Sequence, residues 1–202
     1  MVSYELLGTT GYIKIANFHA RCAQESIAAI EELQTQGATS LIFDMRFNPG
    51  GSLDELITLL DYLLPEGVIF RAVNYKGKEE IMESDAEQHL NIPMCVLVNE
   101  DSYSAAEFFA AALQEYDYAT VVGTQTVGKG NYQQTFMLSD GSAVAISTGH
   151  YSTPNGVNLE GVGITPDIPV EVDEQTYINI YSDTIEKSDD PQLQAALKAL
   201  QE

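Results

Sequence analysis

Polar and apolar positions change period repeatedly along this chain. Tyr12-Ile13-Lys14-Ile15 alternates between two faces and predicts a strand. Ala23, Ile27 and Ile30, with Leu33 beside them, share one side of a helix, and Gly37 supplies its stop. Thr39 to Phe43 is an almost continuous apolar run, the pattern of a strand covered on both faces. It ends in a loop, Asp44-Met45-Arg46-Phe47-Asn48-Pro49-Gly50-Gly51. Leu53, Leu56, Ile57, Leu60, Leu63 and Leu64 then follow helical spacing until Pro65. Val68–Val73 and Glu79–Met82 read as strands around a turn at Lys76-Gly77, and Ile92–Val98 as a buried strand. A helix over Ala105–Gln114 and a short strand over Ala119–Val122 follow. Tyr132–Leu138 and Ser142–Thr148 are joined through Ser139-Asp140-Gly141, a hairpin signal. Strands alternating with helices, plus hairpins, predict an α/β domain over residues 1–172. Residues 173–202 read as an acidic extension in which Pro191–Leu200 forms an amphipathic helix.

The chain has 202 residues, enough for one core with a short appendage. Its 45% hydrophobic and 19% charged content is ordinary for a globular protein, but nine Lys+Arg against thirty Asp+Glu leave a net charge of −21. Such a surface repels phosphate backbones and anionic lipid, which argues against nucleic-acid and membrane-surface partners. No run approaches the roughly 20 apolar residues that span a bilayer. No basic start followed by an apolar stretch marks a signal peptide either. Cys22 and Cys95 sit among apolar neighbours and read as small buried hydrophobes, not a disulfide framework.

His19, His89 and His150 lie in unrelated contexts without metal-ligand spacing, and the glycines form no nucleotide-binding fingerprint. Two segments carry chemistry. The first, Val98 to Phe108, runs from a strand through a polar turn into a helix starting near Ser104. That turn presents a hydroxyl where helix N–H groups favour developing negative charge. The same residues, Ser104-x-x-Glu107, also make a capping box, with Ser102 or Ser104 as the cap. The second is Gly128-Lys129-Gly130. Flanking glycines allow close backbone approach, and a lysine presented inward loses water and becomes a usable general base. A solvated lysine on a turn is the plainer alternative.

Together these segments resemble the C-terminal processing (tail-specific, carboxyl-terminal) serine peptidases. Ser102-Tyr103-Ser104-Ala105-Ala106-Glu107 is similar to the family's Ser-Ala-Ser-Ala-Ser-Glu, whose middle serine is the nucleophile. Val122 to Gly130 is similar to the segment carrying the catalytic lysine, and the Ser104-to-Lys129 separation of 25 matches. Gln133 falls where a glutamine orients that lysine. Asp44 to Gly51 resembles the family's Asp-Leu-Arg-x-Asn-Pro-Gly-Gly loop, and Leu138–Ala143 and Gly161–Asp167 are further matching segments. Tyr103 and Ala106 depart from the pattern, and no PDZ domain fits before Gly11.

The resemblance implies a Clp protease/crotonase-like core and a Ser104/Lys129 dyad with Gln133 holding the lysine. It further implies an oxyanion hole from the amides of Ala105 and of Gly50 or Gly51, with no metal or cofactor. Substrates would be proteins or peptides with a flexible, apolar C-terminal end, and the setting extracytoplasmic. Three other readings of the same scaffold stay open: a ligand- or peptide-binding module, a core silent without its PDZ domain, and an acyl-CoA enzyme.

Overall fold

Period-2 burial sorts the strand residues of this protein into two apolar layers. The computed structural model describes residues 1–85 and 89–201. One sheet runs in the order β1 (Val2–Leu7), β2 (Thr10–Ile15), β3 (Ser40–Asp44), β6 (Met94–Val98), β7 (Ala119–Gly123), β10 (Ile168–Pro169). β1 is antiparallel to β2, and the remaining neighbours are parallel. Parallel neighbours require crossovers, supplied by α1 (Cys22–Thr35), by α2 (Leu53–Leu63) with a hairpin, and by α3 (Ala105–Glu115). The strand and helix expectations between Tyr12 and Val122 therefore hold.

Ile13, Leu41, Phe43, Val96, Val98 and Val121 point into the larger core under α1, α2 and α3. The alternate positions Tyr12, Ile42, Cys95, Leu97 and Val122 form a second cluster on the opposite face, closed by Leu193 and Ala196 of α5 (Pro191–Ala199). Each such side chain taken fully out of water is worth about 1.5–3 kcal/mol, so neither face tolerates exposure. α3 is buried from Ala105 through Leu113, and its five alanines let it lie close to the sheet.

A second, antiparallel sheet has the order β5 (Glu79–Ser84), β4 (Gly67–Asn74), β9 (Ala143–Ser152), β8 (Asn131–Met137). It docks on α3 through rings: Phe70 meets Phe108 at 5.1 Å and Tyr151 meets Phe108 at 5.7 Å, both edge-on. The far end of the β8–β9 hairpin stands in solvent, with Phe136, Val144 and Ile146 exposed. Several pieces go beyond the sequence expectations: strands β1 and β10, a β9 that continues to Ser152, a 3-10 turn at Lys187–Asp189, and helix α4 (Glu174–Tyr181), capped by the Asp173 side chain.

Candidate active site

Three connections converge at the carboxyl ends of β3, β6 and β7. At the end of β3, the buried Asp44 accepts from Tyr12 Oη at 2.5 Å and from Arg46 Nη2 at 2.5 Å. Burial opposes the Asp44 charge, but Arg46 and these hydrogen bonds outweigh it and hold the carboxyl below its ordinary range. Burial pushes the Tyr12 phenol up, reinforced by the Asp44 charge. Beyond Arg46 the turn is pinned from inside. Asn48 Nδ2 donates to the Ile15 carbonyl at 2.7 Å, and its Oδ1 accepts the Gly50 amide at 2.8 Å. Phe47 N donates to Asn99 Oδ1 at 2.9 Å.

The second connection follows β6. Ser102 is fully buried, and its hydroxyl donates to the Met45 carbonyl at 2.8 Å while accepting the Asn99 amide at 2.9 Å. It ties two turns together and does not cap the helix. Ser104 stands at the head of α3 with φ 59 and ψ −125. A non-glycine residue there costs about 1–3 kcal/mol and persists only where its surroundings enforce it. The enforcer is Glu107, fully buried in the first turn of α3. Glu107 Oε2 accepts the amides of Ser104 and Lys129, each at 2.8 Å. Its Oε1 accepts Thr126 Oγ1 at 2.5 Å and the Gly128 amide at 2.6 Å. One carboxylate thus joins the serine turn to the lysine turn. The Glu107 amide donates to the Ser104 carbonyl at 2.9 Å, and Ser104 and Glu107 also form the reciprocal capping box that the sequence offers.

Gly50 and Gly51 are required by contact. A Cβ on Gly50 would lie 2.8 Å from both Ser104 Cβ and the Ala105 amide nitrogen, and one on Gly51 would lie 2.3 Å from the Phe18 carbonyl oxygen. Gly51 and Ala105 amides have no protein acceptor among the described residues, whereas the Gly50 amide is taken by Asn48.

A cavity of about 190 Å³ opens here, bringing together Gly51, Ser104, Ala105, Lys129 and Gln133. Its apolar side is formed by Leu53, Leu56, Phe70 and Phe108. Tyr132 and Tyr151 stack beside it at 4.9 Å, and burial pushes the Tyr151 phenol up, with Tyr132 adding to the effect. None of the three histidines lines it. Lys129 lines this cavity but is exposed, its turn held by the Gly128 and Lys129 amides that donate to Glu107. Its Nζ lies 5.3 Å from the Tyr103 ring centroid. Gln133 is also exposed, just past a bulge in the β8–β9 pairing that brings consecutive residues Tyr132 and Gln133 to the cavity. Sequence patterns reveal Glu107 only as half of a capping box. For Asn48, Asn99 and Thr126 no local pattern signals the role, since their partners lie in distant turns.

The chain is similar to known peptidases along most of its length. The model of peptidase family S41 matches residues 9–170. The carboxyl-terminal-processing protease of Synechocystis sp. is 40% identical over 192 residues, 95% of this chain and 44% of that protein. The chloroplastic carboxyl-terminal-processing peptidase 2 of Arabidopsis thaliana is 36% identical over 79% of this chain and 32% of its own length. A solved photosystem II D1 C-terminal processing protease superposes with TM-score 0.77 at 29% identity, covering 84% of this chain and 48% of that one. The chain thus spans less than half of these relatives, and its fold is the expected Clp protease/crotonase-like α/β core. Together with the ordered motifs, the match shows that this chain belongs to peptidase family S41.

Proposed function

We propose that this chain hydrolyses peptide bonds with Ser104 as nucleophile and Lys129 as general base. The observation that carries the reading is the enforced positive φ of Ser104 at a helix head, in one cavity with Lys129 and Gln133. In the reaction, neutral Lys129 takes the Ser104 proton as Oγ attacks the scissile carbonyl. The amides of Gly51 and Ala105, the two left without protein acceptors, stabilise the oxyanion, worth about 3–4 kcal/mol for one such donor. Lys129 then protonates the leaving amine, and water releases the acyl group from Ser104.

The resting chain leaves the Lys129 side chain exposed to solvent. A substrate lying across the cavity would cover the amine, exclude water and favour the neutral base, with Gln133 as the hydrogen-bond partner that holds it. The apolar side of Leu53, Leu56, Phe70 and Phe108 suits an apolar side chain next to the cut bond, in keeping with substrates that have flexible apolar C-terminal ends. The extracytoplasmic setting belongs to this proposal through the family resemblance.

A second reading, a core silent on its own, is favoured by one observation: Lys129 Nζ lies over Tyr103, and no hydrogen bond joins it to Gln133 among the described residues. Digestion of an unfolded protein with this chain, its Ser104→Ala and its Lys129→Ala forms, read by mass spectrometry, separates the two. Cleavage lost in both variants supports the dyad. Cleavage persisting in Ser104→Ala removes it, and none from the unsubstituted chain favours the silent core.

A further inference from the structure

The family model ends at residue 170, yet the residues after it reach both turns of the site. Arg46, one residue before the strained Phe47 (φ 61), is 4% exposed. Its Nε and Nη2 face Asp44, while the rest of the guanidinium is satisfied from the C-terminal segment. Nη1 donates to Asp190 Oδ1 and Gln192 Oε1, both at 3.1 Å, and Nη2 lies 2.8 Å from Asp190 Oδ2. Asp190 is 1% exposed and simultaneously caps α5, accepting the amides of Gln192 and Leu193 at 3.1 Å. Just outside this buried cluster, Phe47 is held edge-on by Tyr177 at 5.0 Å and Tyr181 at 5.2 Å. Tyr177 Oη donates to Asp101, three residues before Ser104.

We propose that Asp190, at the head of α5, is a positioning residue for the oxyanion turn, acting through Arg46. This rests on the peptidase reading above. The physical ground is the cost of leaving guanidinium donors buried without acceptors. Without Asp190, the Arg46 head must move to find water, and it is joined through Phe47 and Asn48 to Gly50 and Gly51. Asn48 is itself bonded to the Gly50 amide, so a displacement at Arg46 is delivered to the turn.

Asp190→Asn is the discriminating variant. Its amide oxygen still caps α5, but its NH₂ faces the Arg46 Nη2 donor that Asp190 Oδ2 now accepts. Leu193→Ala is the control, loosening α5 from the sheet without touching Arg46. The full chain is assayed for kcat and KM on a peptide substrate and for deuterium uptake across residues 46–51. The expected result for Asp190→Asn is a kcat lower by about tenfold or more, KM within about twofold, and faster exchange in 46–51. Leu193→Ala melts at lower temperature but keeps kcat and that exchange rate. Asp190→Asn with unchanged kcat, or Leu193→Ala losing as much, overturns the proposal. If the unsubstituted chain shows no Ser104-dependent cleavage, the peptidase reading fails separately. Deuterium uptake then decides the positioning claim alone: equal uptake in Asp190→Asn and the unsubstituted chain overturns it.

Discussion

At Asp44, burial and ion pairing oppose one another, and the pairing with Arg46 prevails. The consequence is a defined acid sensitivity. The folded carboxyl titrates below its ordinary value of 3.8, so on acidification the unfolded chain takes up this proton first. The stabilisation is therefore complete above about pH 4 and is lost as pH falls through the folded value. Urea unfolding midpoints measured from about pH 5 down to pH 2 should fall steeply in the unsubstituted chain and less steeply in Asp44→Asn. Parallel slopes would remove Asp44 from the acid response. At this same scale the sequence is most legible where chemistry is carried by residue type. Ser104, Lys129 and Gln133 stand out through the family resemblance, and the structure gathers them at one cavity. What the residues do not disclose is the exposure of Lys129 beside the cavity, because the turn that carries it is tied to Glu107 from a distant helix.

Glu107 belongs to the scale of elements, since it links the head of α3 to the turn before β8. Four donors converge on its two oxygens: three backbone amides and one hydroxyl. A glutamine offers one oxygen and an NH₂ that would confront two donors, so the isosteric change is not conservative. Glu107→Gln should cost roughly 3 kcal/mol or more and lower the melting temperature by about 6–12 °C. A shift of a degree or two in a thermal scan would contradict the strut. Elements with clear period are predictable from this sequence, including the terminal helix found at Pro191–Ala199. β1 is missed because Val2–Leu7 is half exposed and its partner is only the edge of β2. α4 is missed because it is short and half exposed, with only Ile180 buried.

Across the whole molecule, the two thiols report on opposite faces of the main sheet. Cys22 lies in the larger core, and burial pushes its thiol up to about 11. Cys95 lies under α5 with Sγ 3.6 Å from the Ala196 carbonyl oxygen, and burial pushes it up to about 12. Neither should react with a disulfide reagent near neutral pH until the chain opens, since thiolate and access are both lacking. In Leu193→Ala, Cys95 should label before Cys22, and rapid labelling of both in the unsubstituted chain would refute the closed second face. The almost continuous apolar runs through Ile42 and through Cys95 and Leu97 indicate from sequence that a second face is covered, but not by what. The covering helix lies far along the chain, and pairing at such separation leaves no local pattern.

That separation also orders the assembly of the protein. β7 ends at Gly123 and α5 begins at Pro191, so the strands are made well before the helix that shelters their outer stripe. During synthesis the stripe of Ile42, Leu97 and Val122 stays uncovered until α5 emerges, and the acidic surface of the chain, net −21 over its 202 residues, works against copies joining through it.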